Sequence, residues 1–212
     1  GIAFVVVGLG FKANAAPFHM WTPDAYEGAP TPVTTFMSAA TKAVALIVMM
    51  RVLSVAFPGQ SDVWETGVAA VAIVSFVWGN LAALRQTNVK RMLAYSSIAN
   101  AGYALLGVLG FRTEWGLWGI LIYLLAYTFM NFGAFTLIIL LESRGYAGES
   151  VSDFNGLAKR NMPAAVVMLL FLLSLLFFRS LVASLLPLMI GGLAIVGTFL
   201  ILRIASEFGS IS

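Results

Sequence analysis

Residues 31–50, TPVTTFMSAATKAVALIVMM, are apolar enough to cross a membrane yet contain a lysine. Thr31 and Pro32 fit an N-cap followed by a proline in the first helical turn. At 1.5 Å per residue, Lys42 then lies about 15 Å along the helix, near the middle of a hydrocarbon core about 30 Å thick. A charge at that depth costs at least ~2.5–3.5 kcal/mol, so a functional reason is the first expectation.

The residues beside Lys42 are small and would let another helix or water approach its ammonium group. They are Ser38, Ala39, Ala40, Thr41 and Ala43. A lysine held at that depth can take up and release a proton, which is the use that we predict for it. The alternative is a structural lysine paired with a carboxylate on a helix outside this sequence.

The composition predicts an all-α polytopic membrane protein. Hydrophobic residues make up 60% of the chain and charged residues 10%, where a soluble domain carries about 25% charged residues. The net charge of +3 is small, so we expect a lipid bilayer around the chain and no nucleic-acid partner. The absence of cysteine excludes disulfides, thiol catalysis and iron–sulfur ligation by this chain, and one histidine with nine acidic residues argues against a self-contained metal site.

Apolar segments predict about seven transmembrane helices. They cover residues 1–21, 32–57, 64–84, 92–111, 115–141, 163–178 and 181–202. The chain starts at Gly1 inside an apolar run, so we expect a piece of a longer protein. In the long connection 142–162, Ser152 and Asp153 are predicted to cap a short helix on the membrane surface.

The first segment is predicted to be a broken helix. Pro17 lacks an N–H and clashes with the carbonyl four residues earlier, so nearby backbone groups need other partners. A break beside Lys12 predicts a polar, water-accessible pocket, whereas the alternative is a kink near a loop with a snorkelling lysine. His19 follows the break and titrates near neutral pH, so it is either a proton relay or a hydrogen-bonded structural residue.

Three motifs resemble one membrane-protein family. They are GFK at residues 10–12 with PFHMWTPDAYEGAPTPV at 17–33, QTNVKRMLAYSSI at 86–98, and FNGLA at 154–158. Together they resemble the antiporter-like, proton-pumping subunits of respiratory complex I, an NADH:quinone oxidoreductase, and the YEGAPTPV variant is similar to its subunit N branch. The resemblance covers about residues 1–175.

This resemblance implies a partial antiporter-like helix bundle that relays protons across a bacterial inner (plasma) membrane. Lys12 would match the family's lysine on its broken seventh helix, and Lys42 the central lysine of the eighth. Quinone and NADH would be handled by partner subunits, the other membrane subunits of complex I would be its partners, and this chain would hold no cofactor. The piece by itself would be inactive.

Three departures from the family pattern keep other readings open. The partner glutamate of the family is absent, and Asn100 stands where many members have a histidine. Residues 176–212 resemble a resistance-nodulation-division exporter instead, which predicts a foreign membrane hairpin joined after residue 175. The alternatives are therefore a sodium/proton antiporter or membrane hydrogenase subunit of the same fold, a proton-driven exporter, and a structural membrane scaffold.

Overall fold

The computed structural model describes residues 1–145 and 149–170, and every described residue lies within one compact unit. The elements that it contains are helical. They are α1 (Ile2–Lys12), α2 (Thr22–Gly28), α3 (Thr31–Ala56), α4 (Ser61–Ala83), α5 (Val89–Gly110), α6 (Glu114–Ser143), a 3-10 turn (Val151–Phe154) and α7 (Leu157–Arg160). Residues 162–170 begin a further helix at the end of the described part.

Four of these helices, α3 to α6, are long and apolar enough to cross a membrane. They correspond to the second to fifth predicted segments, and their ends agree with the prediction within three residues. The polytopic helical class is therefore confirmed. The seventh predicted segment, 181–202, and the predicted tail, 176–212, lie outside the described residues.

The first predicted segment is broken, as the proline predicted. Helix α1 ends at Lys12, the next nine residues form turns, and α2 begins at Thr22. Asn14 has a positive φ of 62°, which is a conformation that asparagine tolerates better than most residues. The break therefore covers residues 13–21 and contains Pro17, and two short helices replace one membrane span.

Two predicted helix caps are wrong in detail. Helix α3 begins at Thr31, but the Thr31 hydroxyl donates to the Glu142 carboxylate at 2.9 and 3.0 Å instead of capping its own helix. The prediction missed this because the partner lies 111 residues away. In the long connection, Ser150 rather than Ser152 caps the 3-10 turn, and Asp153 completes a reciprocal capping box with it.

Helices α4 and α5 pack closely against each other, and two glycines make this approach possible. A Cβ on Gly79 would lie 2.5 Å from the Ala99 nitrogen, and a Cβ on Gly102 would lie 2.7 Å from the Ala72 oxygen. Small residues at such positions let helix backbones pack directly. This close contact fixes the face of α5 that points toward α3 and α6.

We expect Gly79→Ala to destabilise the bundle by about 1–3 kcal/mol, because the added methyl group has to displace the α5 backbone. Gly67→Ala is the matched control, since Gly67 lies on the same helix and a Cβ added there would meet nothing within 4 Å. Thermal unfolding in detergent, followed by circular dichroism, measures both variants. Equal unfolding temperatures for the two variants would contradict the close packing of α4 on α5.

Candidate functional site

Lys42 is buried between three long helices. Its side chain leaves α3 and is 1% exposed. Nζ donates to the Ser97 carbonyl on α5 at 2.6 Å and also to the Ser97 hydroxyl. Within the described residues, no carboxylate forms an ion pair with it, so neutral oxygens alone solvate this amine.

Tyr127 on α6 closes the other side of the amine. Its hydroxyl lies 3.4 Å from Lys42 Nζ, and the ring centroid lies 5.6 Å from the same atom. The hydroxyl donates to the Ser38 carbonyl on α3 at 3.3 Å. Ser38 and Ala39 are fully buried, so the small residues beside Lys42 do allow the close approach that the sequence predicted.

Tyr26 connects this group to the break in the first segment. Asn14 donates from Nδ2 to the Tyr26 hydroxyl at 3.1 Å, and both side chains are fully buried. The same hydroxyl interacts with the Ser97 side chain. A tyrosine hydroxyl carries its proton at neutral pH, so Tyr26 can donate it in a hydrogen bond.

Helix α4 holds the backbone of the break in place. The Ser75 hydroxyl accepts from the Ala16 N–H at 2.8 Å and donates to the Val71 carbonyl at 2.6 Å. On the other side, the Trp21 indole donates to the Phe11 carbonyl at 3.3 Å. Backbone groups that the break releases from α1 are thus satisfied by side chains, as an apolar environment requires.

Arg91, near the start of α5, anchors α2 from the surface side. Its Nη1 contacts Asp24 at 2.5 Å and Glu27 at 2.8 Å. Because both acids lie on α2, this ion-pair group fixes the rotation of the short helix that carries Tyr26. The motifs at 17–33 and 86–98 therefore meet in space.

The other two predicted site residues lie apart from Lys42. Lys12 is exposed at the end of α1, and the structure does not bring it into the hydrogen-bonded group around Lys42. His19 is half-buried beside Trp78, with ring centroids 6.3 Å apart. It lines a cavity of about 560 Å³ that also borders Arg91 and Tyr95.

A second polar group extends from Tyr127 along α6. Tyr123 and Tyr127 stack with ring centroids 6.4 Å apart. The Tyr123 hydroxyl donates to Asn100 Oδ1 on α5 at 2.9 Å. Asn100 also donates to the Ser96 carbonyl of its own helix at 2.8 Å. The position at which the family often has a histidine is thus occupied by a hydrogen-bonded amide.

Sequence reasoning missed Tyr26 and Tyr127 as site residues. Tyr127 had a usable signal, because Tyr123 and Tyr127 are four residues apart and so lie on one face of a helix. Tyr26 had none, since it lies on a short helix whose direction depends on the break and on Arg91.

The site offers a buried amine, hydroxyls and amides, which suit proton transfer. Across residues 1–145 and 149–170, no three potential metal-ligating side chains cluster.

Comparison with known families gives one match over nearly the whole chain. The profile described as "NADH:quinone oxidoreductase/Mrp antiporter, TM" matches residues 1–209. NADH-quinone oxidoreductase subunit N 1 of Herpetosiphon aurantiacus is 51% identical over 175 residues, which are 82% of this chain and 35% of that protein. The chain thus spans about a third of the length of the curated relatives that it matches.

Two solved structures with the same fold come from respiratory membrane complexes. Respiratory complex I from Thermus thermophilus, with bound aureothin, contains a chain with a TM-score of 0.67 and 36% identity, covering 82% of this chain and 37% of that one. The archaeal membrane-bound sulfane sulfur reductase contains another, with a TM-score of 0.72 and 31% identity, covering 80% of this chain and 35% of that one.

The resemblance of residues 176–212 to an exporter finds no support in these comparisons. The family profile continues through that region to residue 209. The domain boundary after residue 175 stays a prediction, because those residues lie beyond the described part.

We expect Ser75→Ala to destabilise the break by about 1–3 kcal/mol, because the buried Ala16 N–H loses its acceptor. Ser54→Ala is the control, since the Ser54 hydroxyl bonds to a carbonyl of its own helix, at Arg51. Detergent-phase thermal unfolding reports the difference. A Ser75→Ala protein as stable as Ser54→Ala would show that α4 does not hold the break.

Proposed function

Since the chain belongs to the NADH:quinone oxidoreductase/Mrp antiporter transmembrane family, we propose that it is part of a proton-translocating membrane subunit of an NADH:quinone oxidoreductase. The bacterial plasma membrane is its proposed location, with other membrane subunits of the complex and the lipid bilayer as its partners. The names of relatives such as the Herpetosiphon protein support this assignment.

The observation that carries the proposal is the environment of Lys42. An ammonium group buried without a counter-ion is costly, and a purely structural role would be served better by an apolar side chain of similar length. The oxygens of Ser97 and Tyr127 stabilise the charged form in part. We propose that the residue loads and releases a proton among these partners.

The energy for translocation is proposed to come from partner subunits. The chain contains no cysteine, so it cannot ligate an iron–sulfur cluster through thiolates. We therefore assign NADH oxidation and quinone reduction to other subunits and expect no cofactor in this chain. On this proposal the chain belongs to an oxidoreductase without doing redox chemistry, and it is active only in the assembled complex.

Lys12 and His19 are proposed as two further proton-transfer groups. Lys12 is exposed on the surface of the described bundle, where a neighbouring helix of the complex can reach it. His19 borders a cavity of about 560 Å³ beside the break, which is large enough for several water molecules. Both positions suit protons that enter or leave the bundle rather than protons stored inside it.

A second candidate is a subunit of another redox-driven respiratory complex. The membrane-bound sulfane sulfur reductase favours it, because its chain has the higher TM-score of the two structures compared, 0.72 against 0.67. The 51% identity to an NADH-quinone oxidoreductase subunit favours the first candidate over the second. In either case Lys42 would carry protons or the ion that replaces them.

We expect Lys42→Met to stop proton translocation while NADH oxidation by the uncoupled complex continues. Methionine keeps the volume and removes the titratable amine, and a positioned proton-transfer group contributes about 10²–10⁴-fold to the rate. The measurement is NADH-driven proton uptake by proteoliposomes that contain the complex assembled with this chain. Lys159→Met, at an exposed position on α7, is the control. Normal uptake by the Lys42→Met complex would refute the carrier role.

The same assay tests the two outer groups separately. Lys12→Met and His19→Gln should each reduce proton uptake per NADH oxidised, because each removes a group that exchanges protons with the surroundings of the bundle. Uptake equal to that of Lys159→Met would remove the residue concerned from the path without affecting the role of Lys42.

A further inference from the structure

A short series of buried polar groups leads from the break to Lys42, and Tyr26 is its middle member. On one side Asn14 bonds to the Tyr26 hydroxyl at 3.1 Å. On the other side the same hydroxyl interacts with Ser97, whose carbonyl and hydroxyl both bind Lys42. Tyr26 and Ser97 are at most 1% exposed, so the series runs inside the bundle.

The hydrogen bonds give this series a direction. Asn14 Nδ2 is a donor, so the Tyr26 oxygen accepts there and its own hydrogen is free to point toward Ser97. Asn14 Oδ1 is buried and has no hydrogen-bond partner among the described residues, so it can accept from a water molecule in the break. The break therefore offers both a water-binding atom and an oriented hydroxyl.

We propose that the Tyr26 hydroxyl is the relay that passes protons between the break in the first segment and Lys42. This inference rests on the proposed function of Lys42 and adds the route by which its proton arrives. The relay role of Tyr26 is additional to the roles proposed for Lys12 and Lys42, which do not by themselves require a tyrosine between them.

The step balances when the proton enters the break as a hydronium ion. The hydronium ion gives a proton to the Tyr26 oxygen and becomes water, and the proton that Tyr26 held passes to the Ser97 oxygen. The proton that Ser97 held then passes to the uncharged Lys42 Nζ. The hydronium ion loses one O–H bond, the Tyr26 and Ser97 oxygens each gain one and lose one, and Lys42 Nζ gains one N–H bond, so one positive charge moves from the break to Lys42.

Lys12 and Tyr26 differ in burial and in their contact with the hydrogen-bonded group of Lys42. Lys12 precedes the break but is exposed, outside the hydrogen-bonded group of Lys42. Tyr26 is fully buried, and its ring packs edge-on against Phe135 with centroids 6.4 Å apart. Its backbone carbonyl accepts from Thr34 at 3.1 Å, which ties α2 to α3. The hydroxyl is therefore held in one place between the two groups that it would connect.

A purely structural reading is that the hydroxyl only satisfies Asn14. Tyr103 provides the comparison, because its hydroxyl likewise accepts a hydrogen bond from an asparagine side chain, Asn80, at 3.0 Å. Tyr103 is 8% exposed and stacks on Phe76 with ring centroids 5.9 Å apart. No described hydrogen bond joins it to the Lys42 group. Removal of its hydroxyl likewise takes one hydrogen bond from an asparagine side chain, although Asn80 Nδ2 keeps its bond to the Phe76 carbonyl at 2.7 Å, and it leaves the proposed route intact.

The experiment compares Tyr26→Phe with Tyr103→Phe in the assembled complex, reconstituted in proteoliposomes and driven by NADH and a soluble quinone. We expect proton uptake to fall at least about tenfold in Tyr26→Phe, in line with the loss of a positioned proton-transfer group. Tyr103→Phe should keep the uptake of the unsubstituted complex. We also expect a larger ratio of uptake in H₂O to uptake in D₂O for Tyr26→Phe, because proton transfer to Lys42 becomes the slow step.

The outcomes separate this inference from the proposed function. If Lys42→Met stops uptake but Tyr26→Phe behaves like Tyr103→Phe, the relay is refuted and the carrier role of Lys42 stands. If the Lys42→Met complex takes up protons normally, the carrier role of Lys42 is refuted, and the relay that rests on it is refuted as well. A lower uptake with an unchanged isotope ratio in Tyr26→Phe means a structural loss and also refutes the relay.

Ser97→Ala decides the matter if Tyr26→Phe does not assemble. This variant removes the hydroxyl between Tyr26 and Lys42 but keeps the backbone carbonyl that binds Nζ at 2.6 Å. A fall in uptake with a raised isotope ratio supports the relay. Uptake equal to that of Tyr103→Phe overturns it.

Discussion

The structure depends on the free-energy cost of leaving a polar group without a partner inside an apolar bundle. Lys42 is the most demanding case, because its Nζ has three hydrogen-bond donors and lies at 1% exposure. The Ser97 carbonyl at 2.6 Å and the Tyr127 hydroxyl at 3.4 Å come from two different helices. The amine therefore sets how α3, α5 and α6 face each other, and the spacing of these helices in turn keeps it solvated.

The same free-energy cost explains why the break in the first segment is ordered. A gap in a membrane helix exposes N–H and C=O groups, and each must be satisfied within the protein. Ser75 on α4 provides an acceptor for Ala16, and Arg91 on α5 holds α2 through Asp24 and Glu27. Two long helices thus fix the short one, which places the Tyr26 hydroxyl inside the bundle with little freedom to move.

The sequence predicted those features that are encoded locally. Hydropathy located the long helices, because a membrane span needs only a run of about 20 apolar residues. Pro17 predicted the break, and the depth of Lys42 along its helix predicted its burial. The sequence could not predict that Thr31 pairs with Glu142 or that Tyr26 reaches Ser97, because these pairs are far apart along the chain and depend on how the helices pack. The exposed position of Lys12 is a packing result of the same kind.

The contrast between the two lysines bears on how the bundle could work. Lys42 is buried against hydrogen-bond partners on α5 and α6. Lys12 is exposed at the end of α1, outside that group. A buried site can respond to redox chemistry in another subunit only through groups that connect it to a surface. In this bundle such groups begin at the break, where a surface lysine, a buried amide and a half-buried histidine follow one another within eight residues along the chain, from Lys12 to His19. On the proposed function, the break is therefore the place where a change outside the bundle would act on the proton that Lys42 carries.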